Sequence, residues 1–365
     1  MKTISTLTKE AIELLKSLIE TPSFSSEENA TALLIEAWFK KQHISYKRDK
    51  NNVWATNKFF DKNKPTMLLN SHHDTVKPNN GYTKDPFYPE VDNGRLYGLG
   101  SNDAGGCLVS LLATFSYYYN SENLNYNLLM IASAEEESSG PNGLNSMLHI
   151  VPKIAVAIVG EPTLMQMAVA EKGLIVFDAV VKGQPGHAAH PNHNHAIYNT
   201  IYPLRWFKDY EFDKVSKTLG KVNMTVTQIN AGKQHNAIPA EVNLVIDVRV
   251  NDCYTNREIA DILTIHAPCD EIKPRSIHLN ASSIPLTHEL VKAGQSLGLT
   301  TYGSPTLSDQ AVLHCPSLKI GPGDSTRSHS ANEFIYIHEI EEGIQTYIDL
   351  LEKVLIKKTY HETLG

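Results

Sequence analysis

Three runs of contiguous apolar residues, 66–69, 128–132 and 154–159, most constrain what this chain can fold into. None alternates apolar with polar, so each reads as a strand covered on both faces, the pattern of a parallel sheet flanked by helices. A helical pattern at 106–119 separates the first two runs. Upstream, Ile12, Leu15, Leu18 and Ile19 recur at helical spacing before Pro22, predicting an opening helix. Ser25 and Glu28 stand in capping-box spacing before Leu33, Leu34, Ala37 and Trp38, predicting a second.

From about Gly173 the texture changes. Stretches 176–181, 222–227 and 241–250 read as strands, and in the last Val242, Leu244, Ile246, Val248 and Val250 share one face while Asn243, Asp247 and Arg249 share the other. Helical patterns at 196–207 and 256–266 lie between them, giving a half-exposed sheet with helices, an α+β insert. The first texture returns near Ser283, with a helix at 289–297, a buried strand at 317–320 and a closing helix at 339–355. A chain of 365 residues exceeds what one core usually supports. The expected organisation is therefore an α/β domain over 1–172 and 281–365 with an inserted domain over 173–280.

A net charge of −7 without a dense Lys/Arg cluster argues against nucleic acid or an anionic membrane as partner, and favours a small molecule. No apolar run reaches the length of a membrane span, and residues 1–20 are amphipathic rather than signal-like, so a cytoplasmic protein is expected. Cys107, Cys253, Cys269 and Cys315 form no CxxC pattern and read as reduced thiols.

The chemistry lies at the ends of the strands. After the first run come Ser71, His72, His73 and Asp74; after the second, Glu135, Glu136 and Glu137; after the third, Gly160, Glu161, Pro162 and Thr163; after 318–320, a glycine-rich turn leading to His329. Open α/β sheets bind ligands at the carboxyl ends of their strands, so four segments converge on one crevice. Each is weak alone, since a lone histidine is usually structural and an acidic triplet usually solvated. Together they place carboxylates where uncompensated charge costs several kcal/mol, on the order given for buried ions, and a divalent metal supplies the compensation. Imidazole and carboxylate donors without thiolate suit catalytic zinc, or cobalt or manganese. So many candidate ligands exceed one zinc and fit two metals sharing a carboxylate about 3.5–4 Å apart.

These segments resemble the two-zinc amidohydrolases that include acetylornithine deacetylase, succinyl-diaminopimelate desuccinylase and glutamate-releasing carboxypeptidases. The matching motifs are Ser71-His72-His73-Asp74-Thr75-Val76, Gly98-Leu99-Gly100-Ser101-Asn102-Asp103, Ala134-Glu135-Glu136, Gly160-Glu161-Pro162-Thr163, and His329 ahead of Asn332-Glu333, in family order over nearly the whole chain. The resemblance implies a zinc-peptidase-like catalytic domain around a mostly parallel sheet, with the insert as lid and dimerisation domain. It implies that His72 and Glu161 hold one zinc, Glu136 and His329 the other, and that Asp103 bridges them. Asp74 would orient His72, and Glu135 would be the general base. The triplet also admits a register one residue later, with Glu136 as base and Glu137 as ligand; the expectation is Glu135 and Glu136. His73 is expected to point away from the metals.

In the insert, His187 stands where the family places a histidine that reaches the partner subunit's site and donates to the oxyanion. Asn236 falls in a stretch resembling the lid's substrate-binding loop. Arg249 is suited to a bidentate clasp on a substrate carboxylate, with a salt bridge to Asp247 as the alternative. Gly321 and Gly323 could bring backbone N–H groups to that carboxylate. Residues 69–78, with Ser308-Asp309 and Gly321-Pro322-Gly323, look most like the deacetylases of arginine biosynthesis. The implied reaction is hydrolysis of an N-acyl amino acid: N2-acetylornithine, or an N-acetyl- or N-succinyl-citrulline. A dipeptidase or carboxypeptidase with the same centre is the alternative.

Overall fold

A computed structural model describes residues 2–356. The apolar runs form the centre of a mixed α/β sheet ordered Lys47–Asp49, Asn52–Thr56, Asn127–Ser133, Thr66–His72, Ile154–Val159, Ser317–Lys319, Met167–Glu171. The four strands from Asn127–Ser133 to Ser317–Lys319 are parallel, and antiparallel neighbours flank them. Every residue of Thr66–His72 and Asn127–Ser133 is buried. Their side chains alternate between two cores: Met67, Leu69, Leu128 and Met130 join the helices Ile4–Ile19, Gly106–Tyr118 and Ile337–Leu355, whereas Leu68, Leu129 and Ile131 pack with Leu144 and Met147. Covering both faces removes any need for polar alternation, which is why these strands read as unbroken apolar runs.

The chain divides into two compact units, one of residues 1–169, 284–302 and 308–365, the other of 170–283 and 303–307. The second unit has a four-stranded antiparallel sheet ordered Asn223–Ala231, Glu241–Val250, Gly173–Lys182, Glu271–Pro274. Val242, Leu244, Ile246, Val248 and Val250 are at most 1% exposed and pack with Ile175, Phe177, Ala179 and Val181. Burial at about 1.5–3 kcal/mol per large aliphatic side chain makes this face the main source of the unit's stability. The helix Asn256–His266 opens with a capping box between Thr255 and Glu258.

Two local expectations change. The single helix expected at 196–207 is two, Ala196–Asn199 and Ile201–Asp209. Pro203 has no N–H to return to the Asn199 carbonyl, so the first helix cannot run on unbroken. The expected capping box at Ser25 does not form: Asn29–Lys41 starts after Glu28 without a side-chain cap. Ser25 and Glu28 are instead engaged in the site.

Candidate metal centre

His72 is the last residue of the buried strand Thr66–His72 and is 1% exposed. Its Nδ1 lies 3.0 Å from the Asp74 carbonyl oxygen and 3.4 Å from Asp74 Oδ1. Its Nε2 faces Asp103 Oδ1 at 3.3 Å, Glu161 Oε1 at 3.8 Å and Glu136 Oε2 at 4.0 Å, yet makes no hydrogen bond. His329 Nε2 lies 3.5 Å from Asp103 Oδ2 and 3.0 Å from Glu137 Oε2. The two oxygens of Asp103 thus face different histidines. Ligand atoms of His72, Asp103 and Glu137 all fall within 4.8 Å of one another. His73 turns the other way, as expected, with Nδ1 against Thr31 Oγ1 at 2.9 Å and Nε2 against the Asn51 carbonyl at 2.9 Å.

The acidic triplet departs from the expected register. Glu135 adopts φ 54°, a left-handed conformation that ends strand alternation immediately after Asn127–Ser133. Its carboxylate turns into the protein and accepts from Asn142 N at 2.9 Å, Asn142 Nδ2 at 2.8 Å and Ser26 Oγ at 3.2 Å. Three donors occupy the side chain expected to act as base. It is Glu137, rather than Glu136, that meets His329.

Asp74 fixes both following residues, accepting Glu136 N–H on Oδ1 at 3.0 Å and Glu137 N–H on Oδ2 at 3.1 Å, with Ser25 Oγ–H at 2.6 Å. Glu28 accepts from Ser26 N at 2.6 Å, Asn51 Nδ2 at 2.8 Å and Glu135 N at 3.2 Å. The sequence assigns Ser25 and Glu28 to a helix cap rather than to this site, because a polar residue before a helical pattern reads as a cap. Asp309 accepts from Asn70 Nδ2 at 2.8 Å and Ser133 Oγ at 2.6 Å, tying two strand ends together.

Charge is crowded here. Burial pushes Glu161 up to about 8 and Glu136 well above the usual carboxylate range. Burial opposes protonation of His72, but Asp103 and Asp74 raise it well above its ordinary value on balance. Burial would also raise Asp103, yet the adjacent His72 holds it below its ordinary value. His329 is raised to about 9, chiefly by its contact with Glu137. Acids held up by burial around an unsatisfied imidazole nitrogen are a donor set that divalent cations fit.

The remaining expected site residues are more ordinary. The Gly321 N–H already donates to Thr163 Oγ1 at 3.1 Å, and a Cβ there would lie 2.6 Å from both Cys107 Sγ and the Glu161 carbonyl. Gly323 has φ +90°, and a Cβ there would lie 2.5 Å from Asn102 Oδ1. The Gly321 N–H is therefore already occupied, and both glycines answer to the packing of the turn. Arg249 is closed on Asp247 through Nε at 2.8 Å and a second nitrogen at 3.1 Å, the alternative raised for it above. In the second unit, His187 is exposed and pairs with Ala237 across a short two-stranded ladder, while the Asn236 carbonyl accepts Ala188 N–H at 3.0 Å. His187 Nδ1 accepts Ala189 N–H at 3.1 Å, which leaves the ring proton on Nε2.

The chain is similar to known proteins over most of its length. Residues 68–353 match the model of peptidase family M20/M25/M40. Acetylornithine deacetylase from Shigella sonnei (strain Ss046) is 28% identical over 357 residues, covering 89% of this chain and 92% of that protein. Its counterpart from Proteus mirabilis (strain HI4320) is 27% identical, covering 93% and 96%. Among solved structures, an M20 family metallo-carboxypeptidase from Sulfolobus solfataricus aligns with TM-score 0.75 and 17% identity, covering 94% of this chain and 99% of its own. A dinuclear metal binding peptidase of the M20 family from Bacillus subtilis aligns with TM-score 0.71 and 16% identity, covering 96% and 99%. Among the described residues no helix is long and apolar enough to cross a membrane. With a strand-end cluster of histidines and carboxylates inside the matched region, the chain belongs to peptidase family M20/M25/M40 and is a metal-dependent amide hydrolase.

Proposed function

We propose that this enzyme removes the acyl group from an N-acyl amino acid, with N2-acetylornithine as the first candidate and N-acetyl- or N-succinyl-citrulline as close relatives, as a cytoplasmic step of arginine biosynthesis. The observation that carries the two-metal reading is Asp103, whose Oδ1 and Oδ2 lie 3.3 and 3.5 Å from two different histidines. His72 and Glu161 would hold one ion and Glu137 and His329 the other, with Asp103 shared. Zinc suits these donors, and cobalt or manganese would replace it. When bound, the metals polarise the amide carbonyl and acidify a water.

Glu136 is the general base in this reading, one residue later than the sequence suggests. Its backbone is pinned by Asp74, Glu135 on one side is consumed by Asn142 and Ser26, and Glu137 on the other is turned to His329. It takes a proton from the attacking water and passes it to the departing nitrogen, which leaves poorly unless protonated. His187, whose Nδ1 accepts Ala189 N–H, would present Nε2 as donor to the developing oxyanion of the partner subunit's site. Arg249 would have to exchange Asp247 for the substrate's carboxylate.

The substrate is tested by comparing zinc- and cobalt-loaded enzyme on N-acetylornithine, N-acetylcitrulline, N-succinylcitrulline and simple dipeptides. The largest kcat/KM is expected for one of the three acyl amino acids; faster dipeptide cleavage would move the enzyme to the dipeptidase or carboxypeptidase reading. The support for acyl amino acids is the pair of relatives named acetylornithine deacetylase, each aligned over most of its length.

The second unit is also proposed to join two copies. Ile197, Tyr198, Ile201 and Tyr202 are 42–68% exposed on its two short helices, and Asn223–Ala231 is an edge strand with Ile229 54% exposed. Unpaired strand edges and contiguous apolar surface are what a partner copy covers. Sedimentation at micromolar concentration is expected to give a dimer that Ile201→Glu with Tyr202→Glu converts to monomer; a monomeric parent protein would reject the interface.

A further inference from the structure

We infer that Glu333 is a positioning residue for the metal centre, acting through Asp103. The inference rests on the reading of Asp103 as the shared ligand. Glu333 is 2% exposed. Its carboxylate collects three backbone donors from one short loop: Asn102 N–H at 2.8 Å and Asp103 N–H at 2.9 Å on Oε1, and Gly100 N–H at 3.2 Å on Oε2. A fourth bond closes the return path, with Gly98 N–H donating to the Glu333 carbonyl at 3.0 Å.

That loop needs an external template. Gly100 sits at φ +73°, and a Cβ there would lie 2.5 Å from Thr75 Cγ2. Asp103 (φ −116°, ψ 99°) and Ala104 (φ −116°, ψ 31°) both break the helical turn 101–105 that leads into the helix Gly106–Tyr118. N–H groups at such a break have no helical acceptor and must be satisfied from elsewhere. Glu333 is that acceptor for two adjacent residues, Asn102 and Asp103, so the direction in which the Asp103 side chain leaves the backbone depends on it.

The same short segment also carries His329, four residues earlier. Asn332 anchors it by accepting Thr83 N–H and Lys84 N–H at 3.0 Å each, and Asn79 Nδ2 donates to the His329 carbonyl at 3.0 Å. One stretch thus supplies a histidine and, through Glu333, the setting of the carboxylate facing that histidine. The spacing between Asp103 Oδ2 and His329 Nε2 is fixed from a single piece of backbone.

Glu333→Gln keeps size and one acceptor oxygen but presents an NH2 to the loop's donors. Partners of this kind typically change metal affinity by about 10- to 100-fold. Metal-free full-length protein is titrated with Co2+, following heat and visible absorption. The parent is expected to take two equivalents. Glu333→Gln is expected to bind the second at least about tenfold more weakly, with an altered absorption band and with kcat, not KM, recovering as cobalt is raised. Glu339→Gln, which breaks the nearby Arg327–Glu339 pair without touching the loop, is expected to keep both equivalents. Two unchanged equivalents in Glu333→Gln would overturn the inference. A parent that binds fewer than two would instead reject the two-metal reading. Hydrogen exchange on the parent needs no variant: the amides of Gly100, Asn102 and Asp103 are expected to be protected in the metal-free state, and free exchange there would also overturn the inference.

Discussion

Glu136→Gln is expected to lower kcat by about 10²- to 10⁴-fold, the range of a lost general acid–base group, while two metals stay bound. Gln preserves the volume and leaves the backbone bond from Glu136 N to Asp74 in place, so the ligands on either side keep their positions. What disappears is the acceptor for the water's proton and the acid for the leaving nitrogen. The contrast with Glu135→Gln makes the experiment decisive. That substitution weakens the bonds to Asn142 and Ser26 and is expected to act mainly on stability, by about 1–3 kcal/mol for a disturbed buried carboxylate, with much of the turnover retained. If Glu135→Gln is the dead variant with metals bound and Glu136→Gln the live one, the register read from the geometry is wrong by one residue.

The second large effect is a reversed pH dependence of stability in the metal-free protein. Glu161 is raised by burial to about 8, against an ordinary value of 4.5, so between these pH values the folded chain holds a proton that the unfolded chain has released. His72, raised well above 6.5, acts in the same direction at the upper end of that window. Stability falls with rising pH wherever the native state binds more protons. The metal-free protein is therefore expected to be more stable near pH 5.5 than near pH 8, the lowered His73 opposing this only below its ordinary 6.5. A bound divalent metal would displace these protons, so the loaded protein is expected to lose the slope and to be the more stable form at pH 8. Denaturant midpoints at the two pH values, with and without chelator, measure this directly. A metal-free protein that gains stability toward pH 8 would contradict the burial of these acids.

Most of the scaffold could be read from the residues because burial on both faces writes itself into sequence as unbroken apolar runs. His72 and Glu161 come within three residues of the ends of such runs, and a polar residue at the end of an apolar strand has few structural explanations. The acidic triplet was harder. Three identical side chains carry no register of their own; the left-handed turn at Glu135, φ 54°, decides which way each one faces, and no residue pattern announces it. Ser25 and Glu28 were misread for a related reason, since the spacing that caps a helix also suits two residues that reach sideways into a loop. Arg249 sat on the polar face expected of it, but Asp247 two residues earlier on that face reaches it first. The inserted unit begins without a linker, because strand Met167–Glu171 runs almost directly into Gly173–Lys182. Texture alone therefore placed that boundary near 173, whereas the compact units divide after Val169.

His72 closes a seven-residue strand of which every member is buried. A metal ligand in that place would have no slack: the sheet core and the ion would be joined through one rigid lever, and an ion held at His72 would act as a rivet on the central strand. Loosening the core several residues away, at Leu69 for instance, should register first as a lower metal affinity, before any loss of fold. Inheritance feels the same stiffness. Substitutions at exposed positions escape that constraint, whereas the wholly buried strand that ends at His72 does not.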